Sequence, residues 1–162
     1  MVIYIVRHPE TEYNKKKIVQ GHKDSKLTKN GILIANSLGQ KLKNKNISKI
    51  LSSDLGRCMQ TSKIINKYLK LKIIKTKELR EMNYGDFNGK TSELIKKNFN
   101  LKNLNIVLPN GESFNQMKKR VIKFIKSLDR TTNILIVTHE GCLRAIISYY
   151  KIKYKKIIIE LK

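Results

Sequence analysis

Residues Val2 to Val6 form a short unbroken apolar run, mostly β-branched or aromatic, that stops abruptly at Arg7-His8. Such a run suits a central strand covered on both faces. A strand of that kind needs helices above and below it, so this one stretch points to a layered α/β fold. Its carboxyl end is where open α/β sheets build their binding crevices. The arrangement recurs twice. Ile47 to Ser52 reads as a second strand, with Arg57 in the first turn of the helix that follows, and Asn133 to Thr138 is a strong strand ending at His139.

The remaining elements alternate with these strands. Residues 9–27 read as a loop carrying Asn14 and Gln20-Gly21, after which Thr28 can cap a helix with apolar positions Ile32, Ala35, Leu38 and Leu42. Asp54 is the expected cap of a helix running to Leu69, and Leu71 to Ile74 reads as a third strand. A short helix over Ser92 to Lys97 precedes an Asn-rich loop that closes in a Leu108-Pro109-Asn110-Gly111 turn. Ser113 with Gln116 makes a capping box, opening a helix striped by Phe114, Met117, Val121, Phe124 and Leu128. Gly141 opens a helix to Tyr150, and Lys156 to Leu161 reads as an edge strand. With no repeat and no linker, residues 1–162 are expected to form one domain. Its architecture would be a three-layer α/β/α sandwich around a mostly parallel central sheet, with 84–112 as a small cap or loop insertion.

Composition narrows the function classes. No segment approaches the roughly 18–20 consecutive apolar residues of a membrane span, and the N-terminus lacks a signal-peptide pattern, so a soluble cytoplasmic protein is expected. Cys58 and Cys142 make neither a disulfide framework nor a metal-ligand pattern. Lys and Arg total 35 against 12 Asp and Glu, a formal charge of +23. The lysines are spread over many segments in a chain heavy in Lys, Asn and Ile, which points to composition rather than to a specific nucleic-acid or membrane partner. The field nevertheless favours small anions such as phosphate esters. Arginine is scarce, at six positions, so each guanidinium is a candidate for two-pronged recognition that lysine cannot supply.

Arg7-His8, Arg57 and His139 therefore converge on one sheet edge. Two histidines and two arginines without Cys or carboxylate ligand spacing look like a tetrahedral oxyanion site with an in-line nucleophile, and less like a metal site. No metal or cofactor is expected.

Six pieces of the chain, in order, resemble the histidine phosphatase superfamily in its phosphoglycerate-mutase-like branch. They are Arg7-His8-Pro9-Glu10-Thr11 with Asn14; Gln20-Gly21 with Leu27-Thr28 and Gly31; Ser53-Asp54-Leu55 with Arg57 and Thr61; Leu79-Arg80-Glu81 with Gly85 and Gly89; Gly111-Glu112-Ser113; and Val137-Thr138-His139-Glu140-Gly141. The resemblance implies that His8 is the nucleophile that becomes phosphorylated, attacking as neutral imidazole with its other ring nitrogen held by a backbone carbonyl. It implies that Arg7, Arg57 and His139 hold the non-bridging oxygens, helped by Asn14, Gln20, Gly21 and the amide of Glu140. Glu81 matches the proton donor, with Glu10 and Glu12 as alternatives.

Two departures stand out. Pro9 replaces the usual glycine after the nucleophile, removing one N–H and fixing φ, and the chain stops sooner after its last strand than the mutases do. The implied activity is metal-independent hydrolysis of a small phosphorylated metabolite through phosphohistidine. A phosphoglycerate mutase, a protein-phosphohistidine phosphatase and a weakly catalytic basic binding module are the alternatives. Nothing in the sequence specifies an oligomeric state.

Overall fold

A computed structural model describes residues 1–129, 131–152 and 158–161. Five strands form the sheet: β1 (Ile3–Arg7), β2 (Ile47–Ser53), β3 (Ile73–Thr76), β4 (Asn133–Thr138) and β5 (Ile158–Leu161). Their order is β3-β2-β4-β1-β5, all parallel except β5, which pairs antiparallel with β1. Arg130 and the first part of the expected Lys156–Leu161 strand fall outside the described residues.

The period-2 alternation of the strands sends side chains to two separate cores. Ile3, Ile5, Ile134 and Ile136 face one side, where they meet Met117, Val121 and Ile125 of α5 (Phe114–Lys126) and Leu143 and Ile146 of α6 (Glu140–Tyr150). Tyr4, Val6, Leu135 and Val137 face the other, against Leu38 and Leu42 of α2 (Lys29–Leu42) and Cys58 and Ile65 of α3 (Gly56–Leu69). That is a three-layer α/β/α arrangement. Each fully buried Leu, Ile or Val contributes about 1.5–3 kcal/mol, so β1 and β4, covered on both faces, are anchored most firmly.

Local chemistry explains where the elements begin. Thr28 and Ser113 cap α2 and α5 through the expected hydroxyl-to-amide bonds, and the Ser113–Gln116 capping box is complete. Of the four apolar positions of α2, Ala35, Leu38 and Leu42 are buried and Ile32 is exposed. Within 9–27, read as a loop, the one-turn helix α1 (Glu12–Lys15) is held by a Thr11–Asn14 capping box. The third strand starts two residues later than expected. Asn66 bonds both the N–H and C=O of Leu71 beyond the left-handed Lys70 that ends α3, so Leu71 belongs to the helix stop.

The expected Asp54 cap is a correction. α3 starts at Gly56, and its N-cap Leu55 has no side-chain bond. The N–H groups of Gly56 and Arg57 are taken instead by the Asp24 carboxylate at 2.6 and 3.2 Å. Asp54 is engaged elsewhere, in a two-pronged pair with Arg80 at 2.7 and 2.6 Å. A carboxylate facing a guanidinium fork gains more than one facing two amides, which fixes its direction.

Segment 84–112 holds a 3₁₀ turn (Gly85–Phe87) and α4 (Ser92–Asn98). Its first part is stitched to residues 17–19 by Val19 N–H to Lys90 O, Gly89 N–H to Val19 O and Ser92 N–H to Lys17 O. Further on, Leu94, Leu101, Leu104 and Val107 are exposed.

Candidate active site

Strand register brings the two histidines together. β1 and β4 pair Arg7 with Thr138, and the ladder extends one residue through His8 N–H to Thr138 O at 2.9 Å. His8 and His139 therefore leave the sheet side by side, with ring centroids 5.2 Å apart, edge to face. His8 is almost wholly buried. Its Nδ1 lies 2.8 Å from the Pro9 carbonyl. A carbonyl only accepts, so Nδ1 carries the hydrogen and Nε2 keeps its lone pair. Burial, then the Arg57 guanidinium, pushes the His8 pKa down to about 3, with Arg7 adding to the effect and the Pro9 bond opposing it. The ring is neutral at ordinary pH.

Arg57, in the first turn of α3, is 1% exposed and donates in four directions. Nε points at His8 Nε2 at 3.2 Å, Nη1 at Lys23 O and Asp24 Oδ1, and Nη2 at Gly21 O at 2.8 Å. Gly21 sits at φ +50°, and a Cβ there would run into the Asn88 side chain, so this turn needs glycine. His139 lies deeper still, with no exposed surface. Its Nε2 is 2.8 Å from Ser53 Oγ, with Cys58 Sγ at 3.4 Å, and burial holds its pKa well below the usual histidine value.

The remaining groups stand around a cavity of about 250 Å³ bordered by His8, Arg57, Arg7, Asn14, Gln20, Gly21, Glu81 and Glu140. Arg7 pairs with Glu140 at 3.0 Å, and both side chains are about half exposed. Glu81 accepts the N–H of Met82 through Oε1 at 2.9 Å and that of Gly141 through Oε2 at 3.1 Å. A Cβ on Gly141 would strike the Glu81 carboxylate, so glycine here makes room for it. Glu10 is held by Thr28 Oγ1 and borders a second cleft, of about 390 Å³, that shares Arg7, His8 and Asn14. Glu12 lies exposed in α1. Of the three candidate carboxylates, Glu81 alone borders the cavity that contains Arg57.

Asn14 spends its side-chain oxygen on the Thr11 N–H at 3.1 Å, leaving the amide NH₂ for the cavity. Gln20 is committed inward, donating to Thr11 Oγ1 and accepting from Ser25 Oγ. Lys17, Tyr84 and Ser92 also border the cavity; Tyr84 and Ser92 come from the 84–112 segment expected as a cap, whereas nothing in the sequence marks Lys17. Nothing marks Asp24 either, and Ser53 is matched only within the Ser53-Asp54-Leu55 piece, without a role of its own. Ser92 opens α4, and the other four lie in loops or at a strand end with no flanking periodicity to mark them. Among the described residues, no three His, Cys, Asp or Glu side chains gather as metal ligands.

A family model for the histidine phosphatase superfamily (branch 1) matches residues 3–156. The chain belongs to the histidine phosphatase superfamily. It is 33% identical over 154 residues to a Hydrogenobacter thermophilus protein provisionally named phosphoserine phosphatase 2, covering 90% of this chain and 76% of the relative. Among solved structures of this superfamily it is similar to the alpha-ribazole phosphatase from Shigella flexneri, with TM-score 0.83 and 30% identity over 92% of this chain and 79% of that one. It is also similar to phosphoglycerate mutase from Bacillus anthracis str. Sterne, with TM-score 0.80 and 26% identity over 92% and 79%. The histidine phosphatase fold is thus shared by relatives named for hydrolysis and for phosphoryl transfer. No helix among the described residues is long and apolar enough to cross a membrane.

Proposed function

We propose that this histidine phosphatase hydrolyses a small phosphorylated metabolite through a phosphohistidine at His8. The observation that carries the reading is the His8 ring itself, with Nδ1 locked on Pro9 O and the Nε2 lone pair facing Arg57 at the cavity. In this reading Nε2 attacks phosphorus while the bond to the ester oxygen breaks. The Arg57 Nε–H moves from Nε2 to a phosphoryl oxygen, and Arg7 meets another. Positive charge developing on the ring is stabilised by the Pro9 carbonyl. Glu81 gives its proton to the departing alcohol oxygen, then takes one from the water that attacks phospho-His8. Inorganic phosphate leaves and both residues return to their starting states. His139 backs the His8 ring from beneath.

Hydrolysis is favoured over transfer because Arg7 and Glu140, at the cavity mouth, are each about half exposed. Water therefore has a path to phospho-His8, whereas a mutase must exclude it until the acceptor hydroxyl has bound. The test is direct. 4-Nitrophenyl phosphate should be hydrolysed at a rate unchanged by EDTA, and 3-phosphoglycerate, if accepted, should yield inorganic phosphate as the main product. Conversion to 2-phosphoglycerate with little phosphate released would establish the mutase instead, and loss of activity on chelation would overturn the site chemistry.

A further inference from the structure

Arg57 and Glu81 come from different parts of the chain, and a single short loop touches both. The carbonyls of Gly21 and Lys23 and the carboxylate of Asp24 take three N–H bonds of the Arg57 guanidinium, at 2.8, 2.9 and 2.8 Å. Between them, His22 places Nε2 3.0 Å from the Glu81 carbonyl. The loop is held in turn by Asn88, whose Oδ1 accepts the His22 N–H. We propose that loop 20–24 is a positioning element, in which Asp24 orients Arg57 towards His8 and His22 fixes the backbone of Glu81.

The geometry makes Asp24 the dominant arm. A guanidinium has five N–H groups in one plane. Four of them are assigned here, and the direction of the other three dictates where Nε points. The Asp24 carboxylate is the one anion bonded to Arg57 among the described residues, so it both counters the buried charge and sets the plane. Without it, Nε loses its alignment on His8 Nε2 and hence on the phosphoryl oxygen that replaces it. Asp24 also caps α3, so a structural effect must be separated from a positioning one.

This inference rests on the phosphatase reading, and Asp24→Asn separates the two effects. Asparagine caps a helix about as well as aspartate, so most of the cap is kept; loss of the counter-charge of buried Arg57 lowers the melting temperature, and activity is compared well below the melting temperature of the variant. The value of kcat/KM for 4-nitrophenyl phosphate should fall about 10- to 100-fold, the loss of a charge-assisted hydrogen bond. In an Arg57→Lys background the same substitution should cost less than about threefold, because the group it orients is gone. His22→Phe should slow glycerol 2-phosphate at least several-fold more than 4-nitrophenyl phosphate, since only the alkyl ester needs the Glu81 proton. Full multiplication of the Asp24 and Arg57 losses, or an Asp24→Asn enzyme as active as the wild type, would overturn the Asp24 arm. Equal losses of His22→Phe on both esters would overturn the His22 arm. A wild-type protein inactive on every ester would instead remove the phosphatase reading.

Discussion

The floor of the site and its rim are built in opposite ways. His8, Arg57 and His139 are between 0% and 4% exposed, and each is held by strand register or by several hydrogen bonds. Arg7, Glu140 and Lys17 at the mouth are exposed, and Ser92 stands on the stitched edge of the 84–112 segment. In the proposed function, the floor is preorganised to meet a phosphoryl group, the part common to every monoester. The rim would meet the rest of the molecule, which differs between substrates. The similar proteins carry different names, phosphoserine phosphatase, alpha-ribazole phosphatase and phosphoglycerate mutase.

The sharpest way to break the division is at the nucleophile. His8→Ala should lower kcat by about 10⁴-fold or more on every ester, whatever its leaving group. Brief acid-quenched incubation of wild type should trap an acid-labile phosphoenzyme that the variant lacks. Substantial residual turnover would move the nucleophile elsewhere.

Glu81 lies between floor and rim, and its loss should show that position. Glu81→Gln should slow glycerol 2-phosphate by about 10²-fold or more, and 4-nitrophenyl phosphate far less, because a good leaving group departs without a proton. Equal losses would assign Glu81 to structure and reopen the case for Glu10.

A third prediction concerns the tie between the two regions. Arg80, next to Glu81, reaches back to Asp54 at the start of the β2–α3 connection. The Arg80 hydrogen bonds hold the Asp54 pKa below its usual 3.8. A carboxylate with a lowered pKa in the folded state stabilises it above the unfolded pKa, and that contribution disappears as pH falls through the lowered value. Asp54→Asn should therefore cost about 1–2 kcal/mol in urea unfolding at pH 7. The gap between variant and wild type should narrow steadily below about pH 4. A gap independent of pH would mean that the pair acts through shape alone.

Much of the floor was legible in the sequence because it hangs on strands. The apolar runs 2–6 and 133–138 announce buried parallel strands, and their register alone puts His8 beside His139. The capping of α2 by Thr28 and of α5 by Ser113 and Gln116 was likewise legible, since those bonds span three residues. What escaped was non-local. Asp24 caps a helix 32 residues away, and nothing near position 24 marks it, whereas Asp54 sits where a local rule looks for a cap. Its engagement with Arg80, 26 residues on, could not be read from the strand end. On the rim, the 84–112 segment was expected as a cap, but Lys17 and its place beside Ser92 escaped, because residues 17–19 and 89–92 meet through backbone pairing, which any sequence can make.

The smallest expected effect is on the rim itself. Ser92 borders the cavity, and its backbone N–H is spent on Lys17 O, so its hydroxyl is the part available to a ligand. Lys17, in the left-handed conformation at φ 55°, brings an ammonium to the same edge. If the floor performs the chemistry alone, Ser92→Ala and Lys17→Met should leave kcat for 4-nitrophenyl phosphate within about twofold, since its ring offers no hydrogen-bonding groups near the ester for them to hold. For esters that carry further hydroxyl or carboxylate groups, the same variants should raise KM by about three- to tenfold, the cost of one solvent-exposed polar contact. A panel of monoesters assayed with both variants would then rank substrates by their sensitivity to the rim. A drop in kcat on the aryl ester as large as on the others would mean that floor and rim act as one unit, and the division drawn between them would fail.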